Sequence, residues 1–226
     1  MGCIADHQHR GKPSRPSDRG AAHDLDGNEK VESHETEAHL VEGYIAVLSQ
    51  FLAVRGEPFA LIANGSYESR HARAAALADL VPEDRWAYLA CHINASDPPG
   101  GYGAVFYDAR SEGSRELAEC IAEELTVECP ELQKVVVSPC AKRGSPRDGQ
   151  HWYRAFSTLR GIWEGPSNLS GVCLEPGFIN NPDHAELFTH DGLARIGRAC
   201  ARGVIRWTRG ETDATTTDSE PEMGPG

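Results

Sequence analysis

The stretch TEAHLVEGYIAVLSQFLAVRGEPFALIA, residues 36–63, sets the fold class. Its apolar residues Leu40, Val41, Tyr44, Ile45, Leu48, Phe51 and Leu52 recur in steps of three and four, the spacing that lines one face of an α-helix. Gly56 stops that helix, and Phe59-Ala-Leu-Ile-Ala63 follows as a short run of strand character. The alternation continues downstream: residues 86–92, 104–107, 135–137 and 172–174 read as strands, with helical patterns between them. Ser114 is placed to cap a helix carrying Leu117, Ala118, Ile121 and Leu125 on one face, and Asp191 to cap another carrying Leu193, Ile196, Cys200 and Val204. This order predicts an α/β fold in which a mostly parallel or mixed twisted sheet of about six strands has helices on both faces. Site residues are then expected at strand ends and in the loops beyond them.

The 226 residues, 39% hydrophobic and 25% charged, suit one domain over residues 1–209. Residues 210–226 are Thr, Asp, Glu, Pro and Gly with almost nothing to bury, which predicts a disordered acidic tail. Residues 11–33 are polar and rich in Gly, Pro, Asp and Arg, and read as a long surface loop; loops of this length are often functional, so it is expected to frame a site. The seven cysteines include no C-x-x-C pair, which fits reduced thiols better than a disulfide framework. No run is long and apolar enough to span a bilayer, and residues 1–7 lack the basic and apolar regions of a signal peptide, so synthesis in the cytoplasm and no membrane partner are expected. The net charge of −12 leaves no basic stripe to displace counterions from phosphates, which argues against nucleic acid. A monomer is the expected state, and no internal repeat is present.

Three residues have the type and placement of metal ligands. His9 follows a short first strand where it runs out into the long loop, His92 ends an apolar strand, and Glu37 stands three and four residues before Leu40 and Val41, on the buried side of its helix. Two imidazoles and a carboxylate form an open zinc set with one position left for water or a substrate oxygen. Such chemistry needs a further carboxylate to move protons, and Glu175 ends an apolar strand just before the turn-forming Pro176 and Gly177.

These residues lie in segments that resemble the zinc-dependent N-acetylmuramoyl-L-alanine amidases of the amidase-3 type, over roughly residues 4–207. The segment 173–187, CLEPGFINNPDHAEL, is similar to that family's Glu-x-Gly-Phe-x-x-Asn stretch, and residues 92–95, HINA, to its His-x-Asn-Ala. Asp6, His9 and Gly11 match the family's Asp-x-Gly-His-Gly-Gly, but both glycines beside the histidine are replaced. His7 therefore remains an alternative to His9, and Glu35 or His34 an alternative to Glu37. The resemblance implies zinc held by His9, Glu37 and His92, Glu175 as the catalytic carboxylate, and hydrolysis of the amide between N-acetylmuramic acid and L-alanine in peptidoglycan. It implies action on the cell wall after release, as by a lysin. The rival readings are a zinc amidohydrolase or carboxypeptidase acting on a soluble peptide or acyl amino acid, and a degenerate wall-binding or regulatory module without turnover.

For the other histidines (His23, His34, His39, His71, His151, His184 and His190) a solvated or hydrogen-bonded role is the expectation. Cys91 should face away from the metal, because successive strand residues alternate. Cys173 shares the parity of Glu175 and is expected to be a small buried hydrophobe. Asn94 and Asn180 are expected to stabilise turns or to bind substrate. The glycines at 100, 101 and 103 lack the strand-to-helix context of a phosphate loop and read as a turn.

Overall fold

In the computed structural model, residues 1–140 and 153–211 are described; the acidic tail beyond residue 211 lies outside them. Six strands, β1 (Gly2–His7), β2 (Phe59–Ile62), β3 (Trp86–Cys91), β4 (Gly103–Asp108), β5 (Val135–Cys140) and β6 (Leu169–Glu175), form one sheet in the order β2-β1-β3-β6-β4-β5. β1 pairs in parallel with β2 and β3, β3 with β6, and β4 with β5, while β4 runs antiparallel to β6. The reversal follows from the short connection between β3 and β4. A parallel crossover needs a dozen or more residues, usually with a helix, and the stretch from His92 to Tyr102 is too short to supply one, so β4 starts at the edge where β3 ends. The ends of β1, β3 and β6 and the start of β4 thus share one edge, as the pairing of Ala104 with Glu175 shows.

The two faces of the sheet are sorted by the period of the strand. Ala5, Leu89, Cys91, Val105, Val172 and Leu174 pack under α1 (Glu37–Val54), α3 (Glu112–Glu128) and α5 (His190–Arg209). Ile4, Tyr88, Ala90, Leu169 and Cys173 pack under α2 (Tyr67–Asp79) and α4 (Tyr153–Trp163). Each fully buried Leu or Ile contributes about 1.5–3 kcal/mol of transfer free energy. α5 lies between α1 and α3 at close range, because Gly197 meets the Tyr44 carbonyl and Gly203 the backbone of Ile121. All seven cysteines are buried free thiols. Among the described residues no helix is long and apolar enough to cross a membrane.

Both expected caps are corrected by a few residues. Ser111 caps α3, its hydroxyl accepting from Ser114 N at 3.2 Å, and Thr189 caps α5, accepting from Gly192 N at 3.2 Å. Ser111 and Thr189 have the extended backbone that a cap requires, whereas Ser114 and Asp191 are already helical. Ser114 instead accepts from Gly171 N at 3.0 Å and ties α3 to β6. α2 is hard to read from its sequence because the face it buries carries Arg70 and His71 beside Ala74 and Ala78.

Candidate metal centre

β1 ends at His7, and the turn after it is held from beneath by Arg70. This fully buried guanidinium pairs with Asp6 and donates to the carbonyls of His7 at 3.0 Å, Gly65 at 2.8 Å and Arg10. Asp6, also buried, accepts from the Tyr88 hydroxyl and the Gln8 amide. A planar fork of donors fixes the path of the turn, and the turn presents His9 at the edge of the sheet.

There His9, Glu37 and His92 meet. His9 Nε2 lies 2.9 Å from Glu37 Oε1 and 3.1 Å from His92 Nδ1, and His92 Nδ1 lies 3.0 Å from Glu37 Oε1. Glu37 begins α1, and two backbone amides hold its carboxylate: Ile93 N donates to Oε1 at 3.0 Å and Ala21 N to Oε2 at 2.9 Å. Tyr44, two turns along α1, donates its hydroxyl to the His92 carbonyl at 3.2 Å. On the outer side of His9, Nδ1 is 3.3 Å from Asp18 Oδ1, and Asp18 accepts from Lys12 at 2.9 Å and from Gly20 N at 3.1 Å.

Burial by itself would raise the pKa of Glu37, but the imidazoles of His9 and His92 outweigh it and hold the carboxyl far below its usual range. Burial would lower that of His9, yet the carboxylates of Glu37 and Asp18 raise it above the ordinary imidazole value. Asp18 is held at about 2 against the opposing effect of burial, by Lys12, Gly20 N and His9. The site therefore gathers negative charge and lone pairs on one point. Ligands at about 2.0–2.1 Å around a tetrahedral zinc stand roughly 3.3 Å apart, so the triangle closes on an ion of that size with a small outward shift. The donor set, two imidazoles and one carboxylate, fits zinc.

The alternatives turn elsewhere. His7 Nε2 is 2.8 Å from the Ala38 carbonyl, on the α1 side of the sheet. Glu35 accepts from Leu25 N at 2.6 Å, Asp26 N at 3.2 Å and Glu32 N at 2.8 Å, and His34 is exposed. Glu175 stands beside His92. The register of β3 and β6 ends with Cys91 opposite Leu174, and His92 N donates to the Leu174 carbonyl at 3.1 Å; one step further sets Glu175 next to His92 on the same face. Cys91 points into the opposite layer, and Cys173 is buried under α2 and α4 with the parity of Glu175. Asn180 donates to the Ser96 carbonyl at 2.8 Å, and Asn94 exchanges backbone bonds with Gly177 and Ile179, so both shape the loops around the site. His184 is buried and accepts from Phe178 N at 3.0 Å, bracing the turn after Glu175.

Asp18, Gly20 and Ala21 went unread in the sequence. They belong to the long loop, with no periodicity to single them out; only its unusual length marked it. Gly20 has φ +72, and a Cβ there would run into the Glu37 carboxylate, so glycine is needed for both conformation and space.

No protein-family model matches the sequence, and neither does any curated protein. Solved structures do. N-acetylmuramoyl-L-alanine amidase AmiC2 of Nostoc punctiforme superposes with a TM-score of 0.63 at 17% identity, over 92% of this chain and 97% of that one. The CwlD amidase from Clostridioides difficile, solved in complex with the GerS lipoprotein, gives 0.61 at 18% identity, over 92% and 98%. Cwp6 from Clostridium difficile gives 0.62 at 17% identity over 91% of this chain, which spans 29% of that longer protein. Each superposition extends over more than nine-tenths of this chain, and the fold of this chain is that of the solved N-acetylmuramoyl-L-alanine amidases.

Proposed function

We propose that the chain is a zinc-dependent N-acetylmuramoyl-L-alanine amidase that cleaves the amide between N-acetylmuramic acid and L-alanine of peptidoglycan. The observation that carries this reading is the meeting of His9, Glu37 and His92 within 2.9–3.1 Å, at the sheet edge where Glu175 ends β6, in a fold shared with amidases. His9, Glu37 and His92 would hold the metal, with their second contacts already fixed by Asp18 and by the amides of Ala21 and Ile93. When bound, zinc polarises a carbonyl and makes water acidic enough to be deprotonated near neutral pH.

Glu175 is the proton carrier. It takes a proton from the water that attacks the lactyl carbonyl carbon and delivers it to the amide nitrogen as the carbon–nitrogen bond breaks, leaving a muramic acid carboxylate and a free stem-peptide amine. The site lies at the ends of the strands, where His9, His92 and Glu175 are half-buried rather than enclosed. Action on the wall after release, as by a lysin, accords with the endolysin catalytic domain among the similar structures, at 17% identity and a TM-score of 0.53. Release of dye from labelled peptidoglycan, set against hydrolysis of small acyl amino acids, tests the reading. Wall lysis that stops on chelation and returns with zinc is the expected outcome, and turnover of the small substrates alone would replace the amidase by a soluble-substrate hydrolase.

A further inference from the structure

The loop between His9 and Glu37 carries a second constellation. Residues 24–35 read DLDGNEKVESHE, with oxygen-bearing side chains at positions one, three, five, nine and twelve of a twelve-residue window and glycine at position four. This is the ligand spacing of the calcium-binding loop that precedes a helix, Asp-x-Asp-x-Asn with a closing Glu at position twelve. Position six of such loops needs a left-handed backbone and is ordinarily glycine. Here it is Glu29, and the chain nevertheless turns there with φ 67, Gly27 having φ 74. Asp24 accepts from Gly27 N at 2.8 Å, Asn28 N at 3.2 Å and Glu29 N at 2.7 Å, so the loop wraps round the first ligand.

Asp24, Asp26 and Glu35 each bring an oxygen to within 4.8 Å of the others, and Glu32 approaches Glu35 to the same limit. Calcium–oxygen bonds of about 2.3–2.6 Å set opposite ligands roughly 5 Å apart, so one ion can span them. Charge points the same way independently. The Glu35 side chain is fully buried, yet among the described residues no Lys, Arg or His forms an ion pair with it, nor with Asp24, Asp26 or Glu32. The Glu35 oxygens accept only from the neutral amides of Leu25, Asp26 and Glu32, so its charge meets no opposite charge. The loop's one lysine, Lys30, forms no ion pair among the described residues, while the loop carries five carboxylates.

We propose that residues 24–35 form a calcium site, with the side chains of Asp24, Asp26, Asn28, Glu32 and Glu35 and the Lys30 carbonyl as ligands. Its oxygen-only donors suit a hard cation, in contrast to the nitrogen-rich set at His9, Glu37 and His92. The site is coupled to the metal centre through the chain. Ala22 bridges to Thr36, His23 N donates to the Glu35 carbonyl at 3.3 Å, and Glu37 N to the Ala21 carbonyl at 2.8 Å. Calcium would therefore clamp the segment that carries Asp18, Gly20 and Ala21 against His9 and Glu37. The proposal goes beyond the amidase reading and does not depend on it.

The test is calorimetric titration of CaCl2 into the full chain loaded with one equivalent of zinc, with MgCl2 as the control. Expected is one saturable calcium site with a dissociation constant of about 10⁻⁶–10⁻³ M, at least about ten-fold weaker for magnesium. Asp24→Ala and Glu35→Gln should each weaken calcium binding at least about ten-fold with zinc content unchanged. Asp26→Asn, at an exposed position that cannot threaten the fold, should weaken it several-fold, and Glu29→Gly should tighten it, because glycine takes the left-handed backbone without strain. No heat and no rise in melting temperature up to about 10 mM calcium, well past the weakest class of such loops, would overturn the site, as would undiminished affinity in the Asp24, Asp26 and Glu35 variants together. Lost wall hydrolysis with intact calcium binding would count against the amidase reading alone.

Discussion

Glu175 and Glu37 are both glutamates at the same sheet edge, and their surroundings separate their roles. Glu37 is pinned by two amides and faces two imidazoles, which keeps it ionised and suits it to hold a cation. Glu175 stands one strand step beyond the amide that links His92 to β6. Glu175→Gln should therefore keep the zinc content and the fold while lowering kcat about 10²–10⁴-fold, as removal of a general base does; metal analysis beside a lysis assay checks it, and full activity would remove Glu175 from the mechanism. Gly20→Ala acts through space: a methyl there displaces the Glu37 carboxylate, so zinc should be bound at least ten-fold more weakly, roughly the effect of losing a ligand's supporting contact. A chelator competition series reads that change directly. Asp18 gives a pH signature. Its folded-state pKa of about 2 lies below the ordinary aspartate value, so its contribution is complete above that ordinary value and is lost as pH falls toward 2. The melting-temperature gap between the wild type and Asp18→Asn should thus be widest near pH 6 and close on acidification to pH 2; a gap constant across that range would show that the charge is not what matters.

At the scale of elements, two contacts set where the site residues stand. The first is the buried Asp6–Arg70 pair, which joins β1 to α2 and shapes the turn that presents His9. Removing one partner of such a pair leaves a buried charge alone and costs about 3–5 kcal/mol. Arg70→Met should lose stability of that order in denaturant titration, with zinc affinity falling in parallel, and a loss under about 1 kcal/mol would mean that water replaces the guanidinium. The second is the seating of α5 between α1 and α3. A Cβ at Gly203 would come within 2.6 Å of the Ile121 Cα, and one at Gly197 within 2.6 Å of the Tyr44 carbonyl. Overpacking of this kind typically costs about 1–3 kcal/mol. Gly197→Ala should have the more visible effect on the site, because Tyr44 supports the His92 carbonyl and a shift in α1 also moves Glu37. Comparing the zinc affinity of the Gly197 and Gly203 variants at equal stability separates the two effects.

For the whole molecule, the sheet works as a frame that brings distant parts of the chain to one edge. β1 supplies the turn bearing His9, α1 begins with Glu37, β3 leads to His92 and β6 ends at Glu175, and the parallel run β1-β3-β6 makes these ends adjacent. A metal that binds only this assembled arrangement stabilises the fold by mass action, by about 2.7 kcal/mol at a free concentration one hundred times its dissociation constant. Scanning calorimetry of the zinc-loaded and chelated protein should show a higher melting temperature with zinc, and the difference should vanish in His92→Ala; equal melting temperatures in the unsubstituted protein would mean that no metal is held by the folded chain.

The sequence by itself determined the α/β class, the positions of the principal strands and the buried face of α1, because burial on one side of a helix or strand leaves a period that can be read locally. It also singled out His9, Glu37, His92 and Glu175 as residues of the right type at strand ends and at a helix start. Tertiary structure decided what a linear pattern cannot carry: that His9 rather than His7 approaches His92, that Glu35 turns into its own loop, that β4 runs antiparallel to β6, and that Asp18, Gly20 and Ala21 brace the site. These facts depend on which groups meet across the sheet edge and on which way a turn without periodicity bends. Such contacts are settled by packing and by the satisfaction of buried polar groups, and both exist only once distant segments have come together.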